Sequence, residues 1–130
     1  MIKHKTKEIG DIGEECAVKY LKKKRYRIVD RNFRKKYGEI DIIAENKNYL
    51  VFVEVKTRHS NSMTTASEAV DKRKQLRIIK TASAYLLEND TEKYCRFDVC
   101  EVYVDKVSLK LESINYIENA FELEDGYAGC

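Results

Sequence analysis

The chain has 130 residues, 43% of them apolar and 36% charged, and it contains no proline. That length suits a single domain with a core of its own; the composition excludes an intrinsically disordered chain, and no apolar run approaches bilayer-spanning length. The formal net charge of +3 hides an asymmetry, since residues 1–65 carry 16 Lys/Arg against 9 Asp/Glu while residues 66–130 carry 9 against 13, and a basic front half suits a polyanionic partner.

The start, Met1 to Lys7, is basic, but no apolar segment follows it, so it does not read as a signal peptide. The expectation is a cytoplasmic protein that makes no use of a membrane. Periodicity predicts a helix from about Ile9 to Lys24, with Ile9, Cys16, Ala17, Tyr20 and Leu21 on one side. Glu14 falls at the edge of that arc, between Leu21 and Val18. It is either a wet boundary carboxylate or one directed at the surface the helix covers. Strands are predicted at Tyr26 to Phe33, Gly38 to Ala44 and Tyr49 to Lys56, with Asn46, Lys47 and Asn48 as a turn. The stretch from His59 to Thr65 is polar and loop-like, and His59 reads as a solvated loop residue. Ser67 to Glu88 is predicted to be a long helix, with Leu76, Ile79, Leu86 and Leu87 on one arc. Arg96 to Val104 is a further strand, and Val107 to Ile114 a last short one. The order α-β-β-β-α-β predicts one α/β domain over 1–130, a sheet with helices packed on it and an ordered core over about 9–121.

Cys16, Cys95, Cys100 and Cys130 form no C-x-x-C pair, and His4 and His59 do not stand at zinc-ligand spacing from them. They read as reduced thiols, with Cys16 and at least one of Cys95 and Cys100 in or near the core.

Two strand segments carry the chemistry. Asp41 interrupts the apolar stretch Ile40, Ile42, Ile43; Glu54 and Lys56 stand two apart on the next strand and so point to the same face. A carboxylate and an ammonium on an interior strand are costly unless they pair with each other or bind a cation. If the short turn makes the two strands neighbours, Asp41 and Glu54 can share a hard cation such as Mg²⁺, with the backbone carbonyl of Val55 as a further donor. Such a cation polarises a phosphodiester, and Lys56 can stabilise charge on the phosphate or position the attacking water. Arg58, Lys72, Lys74 and Gln75 are candidate nucleic-acid contacts, set against the plainer reading of a solvated basic helix start. The whole set can equally be read as a structural ion-pair cluster.

These residues resemble the PD-(D/E)xK nuclease superfamily, archaeal Holliday-junction resolvases in particular, and more closely the bacterial YraN family. The likeness runs from about Gly10 to Phe121. It includes Gly10-x-x-Gly13-Glu14-x-x-Ala17, Asn32, Gly38-Glu39-Ile40-Asp41, Phe52 to Arg58, Lys74, Arg96-Phe97-Asp98-Val99 and Asn119-Ala120-Phe121. The resemblance implies a restriction-endonuclease-like fold with a mixed sheet and an αβββαβ core. It implies hydrolysis of DNA phosphodiesters, on branched or damaged DNA, dependent on Mg²⁺ or Mn²⁺. Asp41 and Glu54 match the metal ligands, Lys56 the catalytic lysine and Glu14 the helix carboxylate of the resolvases. Ile40 stands where some superfamily members have proline. The comparison also implies a homodimer. The alternative is a nucleic-acid-binding or protein-interaction domain that keeps the fold without cutting.

Overall fold

The computed structural model describes residues 2–59 and 70–122. Helix α1 spans Ile2–Lys23, strands β1, β2 and β3 span Arg27–Lys35, Gly38–Glu45 and Tyr49–His59, helix α2 spans Lys72–Glu88, and strands β4 and β5 span Tyr94–Val104 and Leu111–Phe121. The strands lie in the order β1-β2-β3-β4-β5 in one sheet. β3 and β4 run parallel, and the other pairs are antiparallel. The parallel pair is joined by a crossover that includes α2, as parallel strands require. The result is an α/β fold with a five-stranded mixed sheet and a helix on each face, a restriction-endonuclease-like core.

Each face of the sheet has its own apolar cluster. On one face, α1 buries Ala17, Val18 and Leu21 against Ile42, Ala44, Val51, Val53, Cys100 and Val102. On the other, α2 buries Ile78, Ile79, Ala82 and Tyr85 against Ile43, Leu50, Phe52, Phe97 and Val99. Both faces are covered, so the central strands read as nearly continuous apolar runs. Gly13 lets α1 sit directly on β3: a Cβ there would lie 1.8 Å from Thr57 Oγ1.

Several boundaries differ from expectation. The first helix begins at Ile2, well before Ile9. The described part of the second begins at Lys72, where the Asp71 side chain caps Lys74 N–H, so Val70 and Asp71 precede the helix; 60–69 lie outside the described residues. Leu87 belongs to no core, being 90% exposed, and Ile78 and Tyr85 take the buried arc instead. The last strand is Leu111–Phe121, later and longer than 107–114. Asp105 makes the difference, because its side chain accepts from the Val107 and Ser108 N–H groups and holds that stretch in a turn. Cys100 is buried and Cys16 and Cys95 are half-buried, all as free thiols; burial pushes the Cys100 thiol up to about 12. Among the described residues, no helix is long and apolar enough to cross a membrane.

Candidate functional site

The site begins with a fault in β2. Strict alternation would put Ile40 and Ile42 on one face. Instead Ile40 packs into the α2-side cluster and Ile42 into the α1-side cluster. The break falls on Asp41. The β2–β3 register runs from Glu45↔Leu50 to Ile42↔Val53 and ends there. Beyond it the Asp41 carboxylate replaces the neighbouring backbone as acceptor, Oδ2 receiving the Val55 N–H at 2.8 Å. Asp41 is thereby held where the strands part, against the residue that lies between Glu54 and Lys56.

Asp41 lines two adjoining cavities. One, of about 530 Å³, also includes Glu14, Asn32, Val55, Lys56, Thr57 and His59. The other, of about 480 Å³, lies under α2 and includes Glu54, Asp71 and Lys74. Glu54 is 7% exposed, and its Oε1 takes an ion pair from Lys74 Nζ at 2.9 Å. Lys74 also stands within hydrogen-bonding reach of Lys56.

The charges at this centre do not satisfy one another. Burial, then the neighbouring Glu54 carboxylate, push Asp41 up to about 7, against a smaller opposing effect of the Val55 N–H. Burial and then the Lys74 ammonium push Lys56 down. Burial also works against the charge on Lys74, but its bond to Glu54 prevails and its pKa is raised. A purely structural ion pair would lower its carboxylate and raise its lysine; Asp41 and Lys56 do the reverse. The other buried acids show what satisfaction looks like here. Asp98 accepts from Arg96, from Tyr116 Oη at 2.6 Å and from the Asn119 N–H. Glu101 accepts from Arg58, Asn115 and Tyr103. Asp41 has one protein donor among the described residues, the Val55 N–H.

Glu14 faces the first cavity but is tied toward β1. It accepts from Asn32 Nδ2 at 2.9 Å and from the Arg31 guanidinium at 3.3 Å, while Arg31 also holds Glu15 at 2.8 Å. Asn32 adopts a left-handed backbone, φ 55°, within a strand, a conformation asparagine tolerates better than most residues.

A model of the uncharacterised protein family UPF0102 matches residues 13–102. The chain belongs to the UPF0102 (YraN) family. A UPF0102 protein of Caldanaerobacter subterraneus subsp. tengcongensis is 48% identical over 122 residues, covering 93% of this chain and all of the relative. One from Clostridium botulinum strain Hall is 47% identical over 120 residues, covering 91% of this chain and 97% of the relative.

In this UPF0102 chain the sequence-derived candidates divide into two groups. Asp41, Glu54, Val55, Lys56 and Glu14 converge on the cavities, and Lys74 joins them as the partner of Glu54 rather than as an outlying contact. Arg58, Lys72 and Gln75 do not. Arg58 is 13% exposed and bound to Glu101 at 3.0 Å, so its fork is committed inside the protein. The Gln75 amide donates to the Val70 carbonyl at 3.0 Å. Lys72 lies on the exposed first turn of α2 and lines neither cavity. His59 ends β3 half-buried at the cavity wall instead of sitting in a solvated loop, and its Nδ1 has no hydrogen-bond partner among the described residues. The groups sequence reasoning underrated are Asn32, Lys74 and His59. In the sequence Lys74 is one lysine of a basic helix start, and only the packing of α2 over the end of β3 brings it to Glu54.

The donor set suits a hard divalent cation. Asp41 and Glu54 offer carboxylate oxygens, and a cation would offset both the burial and the Glu54 repulsion that raise Asp41. No group of three or more His, Cys, Asp and Glu converges as a closed cage among the described residues. Mg²⁺ commonly takes one or two carboxylates and leaves the remaining positions to water and phosphate.

Proposed function

We propose that this protein is a divalent-metal-dependent nuclease that hydrolyses phosphodiester bonds in DNA. The observation that carries the reading is the fault in β2, which turns the Asp41 carboxylate onto the Val55 N–H, between Glu54 and Lys56. Asp41, Glu54 and the Val55 carbonyl would hold Mg²⁺ or Mn²⁺, which supplies charge neutralisation at the phosphodiester and an acidified water. The chain's own groups do the rest. Lys56, held by burial and Lys74 below the ordinary lysine range, gives up a proton more readily than a surface lysine. It can donate to a phosphate oxygen or take a proton from an attacking water. Lys74 fixes the Glu54 carboxylate by its 2.9 Å ion pair, so Glu54 enters the reaction already oriented. Glu14, set by Asn32 and Arg31, forms the opposite wall and adds negative potential at Asp41.

The test is a Mg²⁺ and Mn²⁺ titration with labelled linear and branched DNA, wild type against Lys56→Ala. Metal-dependent cleavage by the wild type, lost by at least a hundredfold in the variant, is expected from removing a group that acts in proton transfer or charge stabilisation. Binding by both proteins with cleavage by neither would leave a DNA-binding domain and end the nuclease reading.

A further inference from the structure

Two basic segments far apart in the sequence, 34–36 and 73–80, meet in space. The β1–β2 turn brings Arg34, Lys35 and Lys36, and α2 brings Arg73, Arg77 and Lys80, to the walls of an open groove of about 930 Å³. Gly38 makes the approach possible, because a Cβ there would lie 2.7 Å from Thr81 Oγ1 and 3.1 Å from the Arg77 carbonyl oxygen. Arg73, Arg77 and Lys80 follow the i, i+4, i+7 spacing of one helical stripe, an arrangement of like charges that opposes helix stability. Among the described residues, no ion pair to Arg73, Arg77 or Lys80 offsets it. Glu39, the one acid lining the groove among the described residues, is taken by Arg34 at 3.3 Å, and Lys35 pairs with Glu88 at 3.0 Å. Lys36, Arg73, Arg77 and Lys80 are exposed and have no acidic partner among the described residues.

The groove is continuous with the candidate site. Gly38, Glu39, Arg73 and Arg77 line both the groove and the cavity that holds Asp41 and Glu54. We propose that this groove binds the sugar–phosphate backbone of the nucleic-acid strand whose scissile phosphate reaches Asp41 and Glu54; the destination of that strand rests on the nuclease reading. The charges are spread along an open channel instead of closing round a point, which fits a row of phosphates better than a single small anion. Two arginines supply planar forks for phosphate oxygens, and Lys36 and Lys80 supply point charges. The half-exposed Tyr37 at the turn adds an amphipathic surface against the sugars.

The experiment measures binding of the full chain to labelled duplex DNA, single-stranded DNA and duplex RNA by fluorescence anisotropy, in EDTA, over a series of salt concentrations. The variant carries Lys36→Gln, Arg73→Gln, Arg77→Gln and Lys80→Gln; a control carries Lys22→Gln and Lys23→Gln at the far end of α1. Because all six positions are exposed, both variants should still melt cooperatively, the groove variant at or above the wild-type Tm since it loses a stripe of like charges, and the control within a few degrees of it. Each lost phosphate contact lowers the slope of log K against log salt by about 0.9. The groove variant is therefore expected to lose a slope of about 3 to 4 and most of its affinity, while the control, which removes no groove residue, keeps the wild-type slope. Equal losses in both variants, or none in the groove variant, overturn the proposal. The metal-free readout separates the two claims: groove-dependent binding without any cleavage in Mg²⁺ refutes the nuclease reading alone, and cleavage with groove-independent binding refutes the groove alone. The relative affinities of the three nucleic acids show which backbone the channel takes.

Discussion

Replacing Asp41 with asparagine keeps the shape of the side chain and an oxygen that can still accept the Val55 N–H, but it removes the charge. In the folded protein Asp41 is raised from 3.8 to about 7 by burial and by Glu54. A group whose folded pKa lies above its unfolded one stabilises the fold below the unfolded value and loses that contribution as pH rises through the folded value. Stability should therefore fall as pH rises from about 4 through about 7. Three pKa units correspond to a ceiling of about 4 kcal/mol for the ionised carboxylate above neutrality. In metal-free buffer at about pH 8, Asp41→Asn is expected to be the more stable protein by up to that amount, a gain in Tm on the order of 10 °C for a chain of this size. Near pH 4 the gap should shrink below about 1 kcal/mol. Adding Mg²⁺ or Mn²⁺ should reverse the order. A ligand at a hundred times its Kd stabilises the wild type by about 2.7 kcal/mol, and the variant, with one ligand neutralised, should gain far less. Thermal melts of both proteins at the two pH values, with EDTA and with metal, read all of this. A structural ion cluster requires the opposite: Asp41→Asn would lower the Tm in EDTA at high pH, and metal would leave the wild type unchanged. That pair of results would refute the reasoning.

Gly13→Ala should drive α1 off β3, since its Cβ would meet Thr57 Oγ1 at 1.8 Å. A loss of about 1–3 kcal/mol in chemical denaturation is expected, partly restored by adding Thr57→Ala. Arg58→Ala should act on stability rather than on nucleic-acid binding. It strips Glu101, 1% exposed, of its cationic partner, at a cost of about 3 kcal/mol, and duplex affinity measured beside the melt should hold. At Asn32, glycine should preserve the φ 55° backbone but lose the 2.9 Å bond to Glu14. Valine loses both, so Asn32→Val should be the less stable variant by at least about 1 kcal/mol in the same denaturation series.

Much of the fold was legible because its signals are local. The alternation and β-branched content of Tyr49 to Lys56, the asparagine turn before it and the 3.6-residue period of α1 each depend on a few neighbours along the chain. Where a signal needed a distant partner, the reading slipped. Leu87 looks like core on a helical wheel, but α2 turns Ile78 and Tyr85 inward, where Tyr85 packs edge-on against Phe33 and Phe52 and Ile78 joins the same cluster. Arg58 looks like a free phosphate-binding fork, yet parallel pairing with β4 sets it beside the buried Glu101.

The sequence by itself determined that Glu54 and Lys56 share one face of a strand, because side-chain direction in a strand follows from parity alone. It also supplied Asp41 as an acid out of place in an apolar run. Only the tertiary structure decided that Asp41 leaves the alternation of its own strand to meet Val55, that Lys74 comes across from α2 to hold Glu54, and that two basic segments 39 residues apart at their starts, Arg34 and Arg73, form one groove. Each of those depends on where one element packs against another, which is settled by burial and close contact between residues far apart in the chain.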